Sequence, residues 1–103
     1  MDDNTLVLKS AQKLYEAECW DDAYLLVQVL ISRKRLDIME SASLLAARIC
    51  EAKKEFLLAI DYYSTTTKFI NNCSLDDVHY RIANCHIKLK SFKEAEDAVT
   101  FIS

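Results

Sequence analysis

Hydrophobic and polar positions recur along this chain with a long period: an aromatic residue, two variable positions and an alanine appear three times. The tetrads are Trp20-Asp21-Asp22-Ala23, Phe56-Leu57-Leu58-Ala59 and Phe92-Lys93-Glu94-Ala95, each 36 residues from the next. Nine residues before each aromatic stands a small residue, Ala11, Ala47 or Ala83, and apolar or small residues follow seven to ten places after it. A block of this kind, repeated at a fixed interval, marks a chain built from structural repeats. Each unit reads as two helices. The small residues Ala11, Ala47 and Ala83 in the first helices and Ala23, Ala59 and Ala95 in the second let two backbones approach. Trp20, Phe56 and Phe92 are expected to fill the space at the turn between them. The pattern predicts helices at about 4–17, 20–34, 38–52, 55–70, 75–89 and 92–102, with ends uncertain by about 2–4 residues. The fold class is therefore all-α, in one domain of three units over about 4–35, 38–71 and 75–103.

The arrangement resembles the tetratricopeptide repeat, over roughly residues 5 to 103. The third unit carries the likeness in its run Tyr80-Arg81-Ile82-Ala83-Asn84-Cys85-His86-Ile87-Lys88-Leu89-Lys90-Ser91-Phe92-Lys93-Glu94-Ala95. The resemblance implies a helical-hairpin solenoid wound as a right-handed superhelix, with a concave surface lined by the first helix of each unit. The chain departs from the family's pattern in several places. Its period of 36 exceeds the usual value of about 34, and no Pro closes a unit. Glu18, Lys54 and Lys90 stand at the helix turn where the family has Gly. In the second unit Cys50 replaces an aromatic and Thr66 replaces an alanine.

Composition fits uninterrupted helices, since the 103 residues are 51% hydrophobic and include no Gly and no Pro, the two residues that most weaken a helix interior. Helix starts are expected at Asp37 with Glu40, Ser74 with Asp77 and Ser91 with Glu94, each at capping-box spacing. Asn71-Asn72 takes a linker role because Asn tolerates a left-handed backbone. The acidic pairs Asp2-Asp3, Asp21-Asp22 and Asp76-Asp77 fall at helix starts, where they complement the helix dipole. The basic run Arg33-Lys34-Arg35 is expected to do the same at a helix end.

Net charge of −3 argues against a nucleic-acid surface, which shows a basic excess on one face. No run of about 18 apolar residues suggests a membrane span, and the Met-Asp-Asp-Asn start lacks the basic region of a secretory signal. A soluble protein of nucleus or cytoplasm is expected. Cys19, Cys50, Cys73 and Cys85 have no Cys-x-x-Cys spacing, so they read as structural thiols rather than as zinc ligands or disulfides. Phosphate chemistry of the Gly-rich-loop type is impossible without Gly. His86 falls where the family has a packed aromatic, and reads as a core or groove-lining residue. No catalytic residue, metal site or cofactor is expected.

Function should then lie in a surface. Projection of the first helices on a 3.6-residue period turns Leu8, Gln12, Tyr15 and Glu16, then Leu44, Arg48 and Glu51, then Tyr80, Asn84, Ile87 and Lys88 toward one groove, with Arg81 beside them. Members of the family that clamp a chaperone's carboxylate tail use basic and Asn side chains at positions matched here by Leu8, Gln12, Leu45, Asp77 and Arg81. Only the Arg is kept, so the resemblance does not imply such a clamp. A groove with apolar anchors suits a helix inserting side chains at i, i+3, i+4 and i+7. Trp-Asp-Asp-Ala in the first unit and Tyr-Arg-Ile-Ala-Asn-Cys in the third look like the amino-terminal domains of tetratricopeptide subunits of the anaphase-promoting complex. That resemblance implies a scaffold of a ubiquitin ligase in cell-cycle control, dimerising with each copy's leading helix in the other's groove. The alternative is a monomeric adaptor that captures a short client peptide, with Arg48, Arg81, Asn84 and Lys88 holding its carboxylates or backbone. Ala95, Val99 and Ile102, with Ala98 and Phe101 beside them, make an apolar face on the last helix. Array ends need a polar cover, so this face is expected either to continue into a longer superhelix or to be buried by a partner, the alternative being a short apolar face that stays exposed.

Overall fold

A computed structural model describes residues 3–71 and 74–100. Six α-helices and no strand are present among them: α1 Asp3–Glu16, α2 Trp20–Ser32, α3 Leu36–Ala52, α4 Phe56–Thr67, α5 Leu75–Lys88 and α6 Phe92–Val99. Each helix packs on the next, and α1 also reaches α3. The described chain is elongated, 43 × 26 × 20 Å.

The repeat is visible in the backbone itself. Glu18, Lys54 and Lys90, 36 residues apart, have φ of 62°, 63° and 62°. The residues that follow them, Cys19, Glu55 and Ser91, have φ/ψ of −88°/69°, −92°/71° and −94°/69°. At each turn one amide reaches back five residues, from Cys19 to the Leu14 carbonyl, Glu55 to Cys50 and Ser91 to His86, all at 2.8 Å. A second reaches back three, from Glu18 to Tyr15, Lys54 to Glu51 and Lys90 to Ile87. This pair of bonds caps the outgoing carbonyls in a Schellman arrangement, which ordinarily recruits Gly for its left-handed residue. Here Glu and Lys occupy it, at a cost of about 1–2 kcal/mol each.

Two clusters of side chains form the core, and α3 belongs to both. Ala11, Ala23, Val27, Leu45, Ala46 and Ile49 join α1, α2 and α3. Ala47, Cys50, Ala59, Tyr63, Val78, Ile82, Ala83, Cys85 and Ala98 join α3 to α6. All six repeat alanines (Ala11, Ala23, Ala47, Ala59, Ala83 and Ala95) are buried, the close approach that a single methyl permits. Trp20 and Phe56 pack half-buried on the two clusters, Trp20 with its ring 5.2 Å from that of Tyr15.

Several expectations need correction. Phe92 does not fill its turn: it is 65% exposed, because Trp20 and Phe56 are covered by the following helix pair and no described helix lies beyond α6. Of the three capping boxes, only Ser74 accepts the expected bond, from the Asp77 amide at 3.3 Å. Helix α3 starts before Asp37, behind an uncapped Arg35 whose guanidinium pairs with that carboxylate at 3.2 Å. Ser91 lacks a side-chain cap bond because the tight turn has already fixed its backbone. Helix α4 stops at Thr67 rather than near 70. Thr65, Thr66 and Thr67 there donate their hydroxyls to the carbonyls of Asp61, Tyr62 and Ser64, the local bonding that disfavours helix continuation. Cys73, Asn72, Asp2, Phe101, Ile102 and Ser103 lie outside the described residues.

Candidate functional site

Helices α1, α3 and α5 supply one side of the molecule with a run of three clefts. Leu8 and Gln12 of α1 face Ser41, Leu44, Leu45 and Arg48 of α3 across the first. Tyr15 joins Arg48, Glu51, Ala52 and Arg81 at the second. The third, of about 550 Å³, lies between α3 and α5 and is lined by Leu44, Arg48, Glu51, Ser74, Asp77, Val78, Tyr80, Arg81 and Asn84. Nine of the twelve residues that the helical projection turns toward the groove thus line these clefts: Leu8, Gln12, Tyr15, Leu44, Arg48, Glu51, Tyr80, Arg81 and Asn84. Glu16, Ile87 and Lys88 do not. Each lies exposed at the carboxyl end of its helix, α1 for Glu16 and α5 for the other two.

Arg48 is the single residue common to all three clefts. Its position follows from the sequence, one place after the fully buried Ala47, so its Cα sits at the edge of the α3 interface while its side chain enters the groove. Its Nε is buried without a hydrogen-bond partner, and no ion pair reaches its guanidinium among the described residues. Arg81, its neighbour across the groove, is in a different state. Burial opposes its charge, but the Tyr63 hydroxyl, the Glu51 carboxylate and Tyr15 outweigh that and hold its pKa above the usual value. Glu51 in turn accepts a 2.6 Å hydrogen bond from Tyr63. Burial, then this bond, raises the Tyr63 pKa. Glu51, held by Tyr63, favours the charged form of Arg81, while Arg48 keeps a buried Nε with no hydrogen-bond partner among the described residues.

Polar contacts that the sequence pattern did not reveal lie beneath and behind this face. Ser43 and Thr66, both fully buried, share a 2.8 Å hydroxyl contact between α3 and α4. The hydroxyls of Tyr24 and Tyr62 meet at 2.8 Å. Arg33 of the basic run pairs with Asp3 at 3.2 Å and with Asn4, tying the end of α2 to the start of α1. Lys53 holds Asp21 at 2.7 Å, and that bond, ahead of the opposing burial, raises its pKa. Each joins residues 23 to 38 positions apart, and only Thr66 stands out in the sequence as a departure from the repeat pattern.

Chemistry at the two buried thiols is suppressed. Cys50 and Cys85 are buried and unpaired, and burial pushes their pKa values up to about 11 and about 12, away from the thiolate that a nucleophile or a metal ligand requires. Cys19 is free and exposed. His86 is half-buried, with its Nδ1 buried and unpartnered, and lines none of the three clefts. No group of three His, Cys, Asp or Glu side chains among the described residues could hold a metal ion, and no described helix is long and apolar enough to cross a membrane. No family model, no curated protein and no solved structure matches this chain.

Proposed function

We propose that this chain is a non-catalytic protein–protein interaction module, and that the groove of α1, α3 and α5 holds a segment of another polypeptide. The observation that carries the reading is the unbroken run of clefts along three helices, with Leu8, Leu44 and Tyr80 as apolar walls around Arg48, whose buried Nε has no hydrogen-bond partner among the described residues. A groove of this composition, apolar with a few polar fixing groups, is how a helical array takes a helix or peptide. The repeated turn and the alternation of groove-lining with outer helices support the finer reading of the fold as a tetratricopeptide-like right-handed solenoid. The likeness of Trp20-Asp21-Asp22-Ala23 and Tyr80-Arg81-Ile82-Ala83-Asn84-Cys85 to subunits of the anaphase-promoting complex supports a scaffold of that ubiquitin ligase, in nucleus or cytoplasm, as its setting.

Selection of random 12-residue peptides displayed on phage against the folded chain tests the groove. Binders should be enriched, and Leu44→Asp should abolish their capture while circular dichroism shows unchanged helix. Binders indifferent to Leu44→Asp, or none at all, would sink the reading.

A second copy of the chain is the other occupant with an observation in its favour. Leu6, on the outer side of α1, is 49% exposed and could enter a partner's groove. Light scattering across a concentration range decides this point: a mass twice the 11.8 kDa chain, halved by Leu44→Asp, would establish the dimer.

A further inference from the structure

We infer that the groove selects an internal acidic residue of its partner, an Asp or Glu side chain flanked by apolar residues, and that Arg48 is its receptor. This rests on the groove reading above and adds the chemistry of the ligand.

Three observations combine. Arg48 is half-buried, lines all three clefts and has its Nε buried without a partner, whereas buried polar groups are almost always hydrogen-bonded. A guanidinium offers five donors in a planar fork that fits a carboxylate two bonds at a time. Arg81 lines two of the same clefts and has its charge favoured by Tyr63 and Glu51, whereas Arg48 alone reaches all three and holds the buried, unpartnered Nε.

Charge on the lining points the same way. The two clefts on the α1 side carry Arg48 and Arg81 against Glu51 alone, a local excess of one positive charge in a chain whose net charge is −3. Asp77 stands at the far rim of the α5 side, where it repels an acid placed there and confines the carboxylate to the middle of the groove.

The clefts continue on both sides of Arg48, toward Leu8 and Leu45 in one direction and Val78 and Tyr80 in the other. A chain that passes through would place one apolar side chain in each. A free carboxyl terminus would stop at Arg48 and leave half of the groove empty. The occupant is therefore an internal segment, with the larger of its two apolar side chains in the α3–α5 cleft, about 550 Å³ against about 210 Å³ on the α1 side.

The test uses peptides from the phage selection, made synthetically with both ends blocked. Selected sequences should share an acidic residue between apolar ones. Replacing that residue by its amide should weaken binding to the wild-type chain by about tenfold or more, the scale of a charge-assisted bidentate contact. The same replacement should change binding to Arg48→Gln less than about twofold, with Arg48→Lys intermediate because it keeps the charge and loses the fork. Helix content and melting temperature of both variants verify that the fold is intact. Peptides that need Leu44 but bind equally well as acid and amide would overturn the inference and leave the groove reading standing. An acid preference that survives Arg48→Gln and vanishes in Arg81→Gln would also overturn it. Failure of every peptide to depend on Leu44 would remove both, whereas a groove filled only by a second copy of the chain would remove the inference alone.

Discussion

Helices α3 and α6 occupy the same protein under opposite conditions. Ten of the residues of α3 are buried, from Ile38 to Cys50, and they serve two core clusters. Buried residues on α6 are only Ala95 and Ala98, while Phe92 and Val99 are largely exposed. Both helices were legible from the same repeated pattern, yet one is covered on two sides and the other on one. In an array whose helices touch only near neighbours, stability is a property of position as much as of sequence.

The largest effect that would expose this difference is a truncation on each helix. Ile49→Ala in α3, at a fully buried site, should cost about 2–5 kcal/mol in chemical denaturation. Val99→Ala in α6, 42% exposed, should stay within about 0.5 kcal/mol. Equal losses at the two sites would show that α6 carries as much of the core as α3.

Alkaline pH should act on the covered interior alone. Burial raises the folded pKa values of Cys50 and Cys85 from the ordinary thiol range to about 11 and about 12. A raised pKa means stability that is complete below the unfolded value and lost as pH climbs toward the folded one. The melting temperature should therefore be flat to about pH 8 and fall above about pH 9. Cys50→Ala with Cys85→Ala should lower the starting value but flatten that fall. A slope unchanged in the double variant would assign it to other groups, with Tyr62 and Tyr63, whose pKa values burial also raises, next in line.

The smallest effect is also the one that makes the three units most alike. Lys54→Gly and Lys90→Gly relieve a left-handed residue in an otherwise identical turn, and each should stabilise by up to about 1 kcal/mol. Glu18→Gly should match them. Increments that differ widely among the three would mean that the turns, alike in backbone, are not alike in energy.

How much of this was readable beforehand depends on the range of the interaction. Helix existence and order follow from local periodicity, which starts α2 and α6 at 20 and 92, as the structure does, and α4 at 55, one residue before its start at Phe56. Starts that rest on one hydrogen bond were read less well, since Asp37 found Arg35 instead of an amide. At the groove, helical projection is sufficient to say that Leu8, Leu44 and Tyr80 share a side. It does not reveal that Tyr63, from the outer helix α4, reaches Glu51, or that Arg48 forms no ion pair among the described residues. That bond crosses a helix interface, and nothing in the spacing of Glu51 and Tyr63 distinguishes it from a dozen others.

The sameness of the turns has a practical consequence for building with this chain. Lys54 passes to Glu55, and Lys90 to Ser91, through backbone angles that agree within a few degrees. A cut at either junction leaves ends of the same shape, so a second copy of residues 55–90 could be spliced after Lys90 without a designed linker. The product would be a four-unit chain with its own duplicate of the α5 face, and the α1 and α3 faces would remain as they are. Length would become a variable that can be set one 36-residue module at a time.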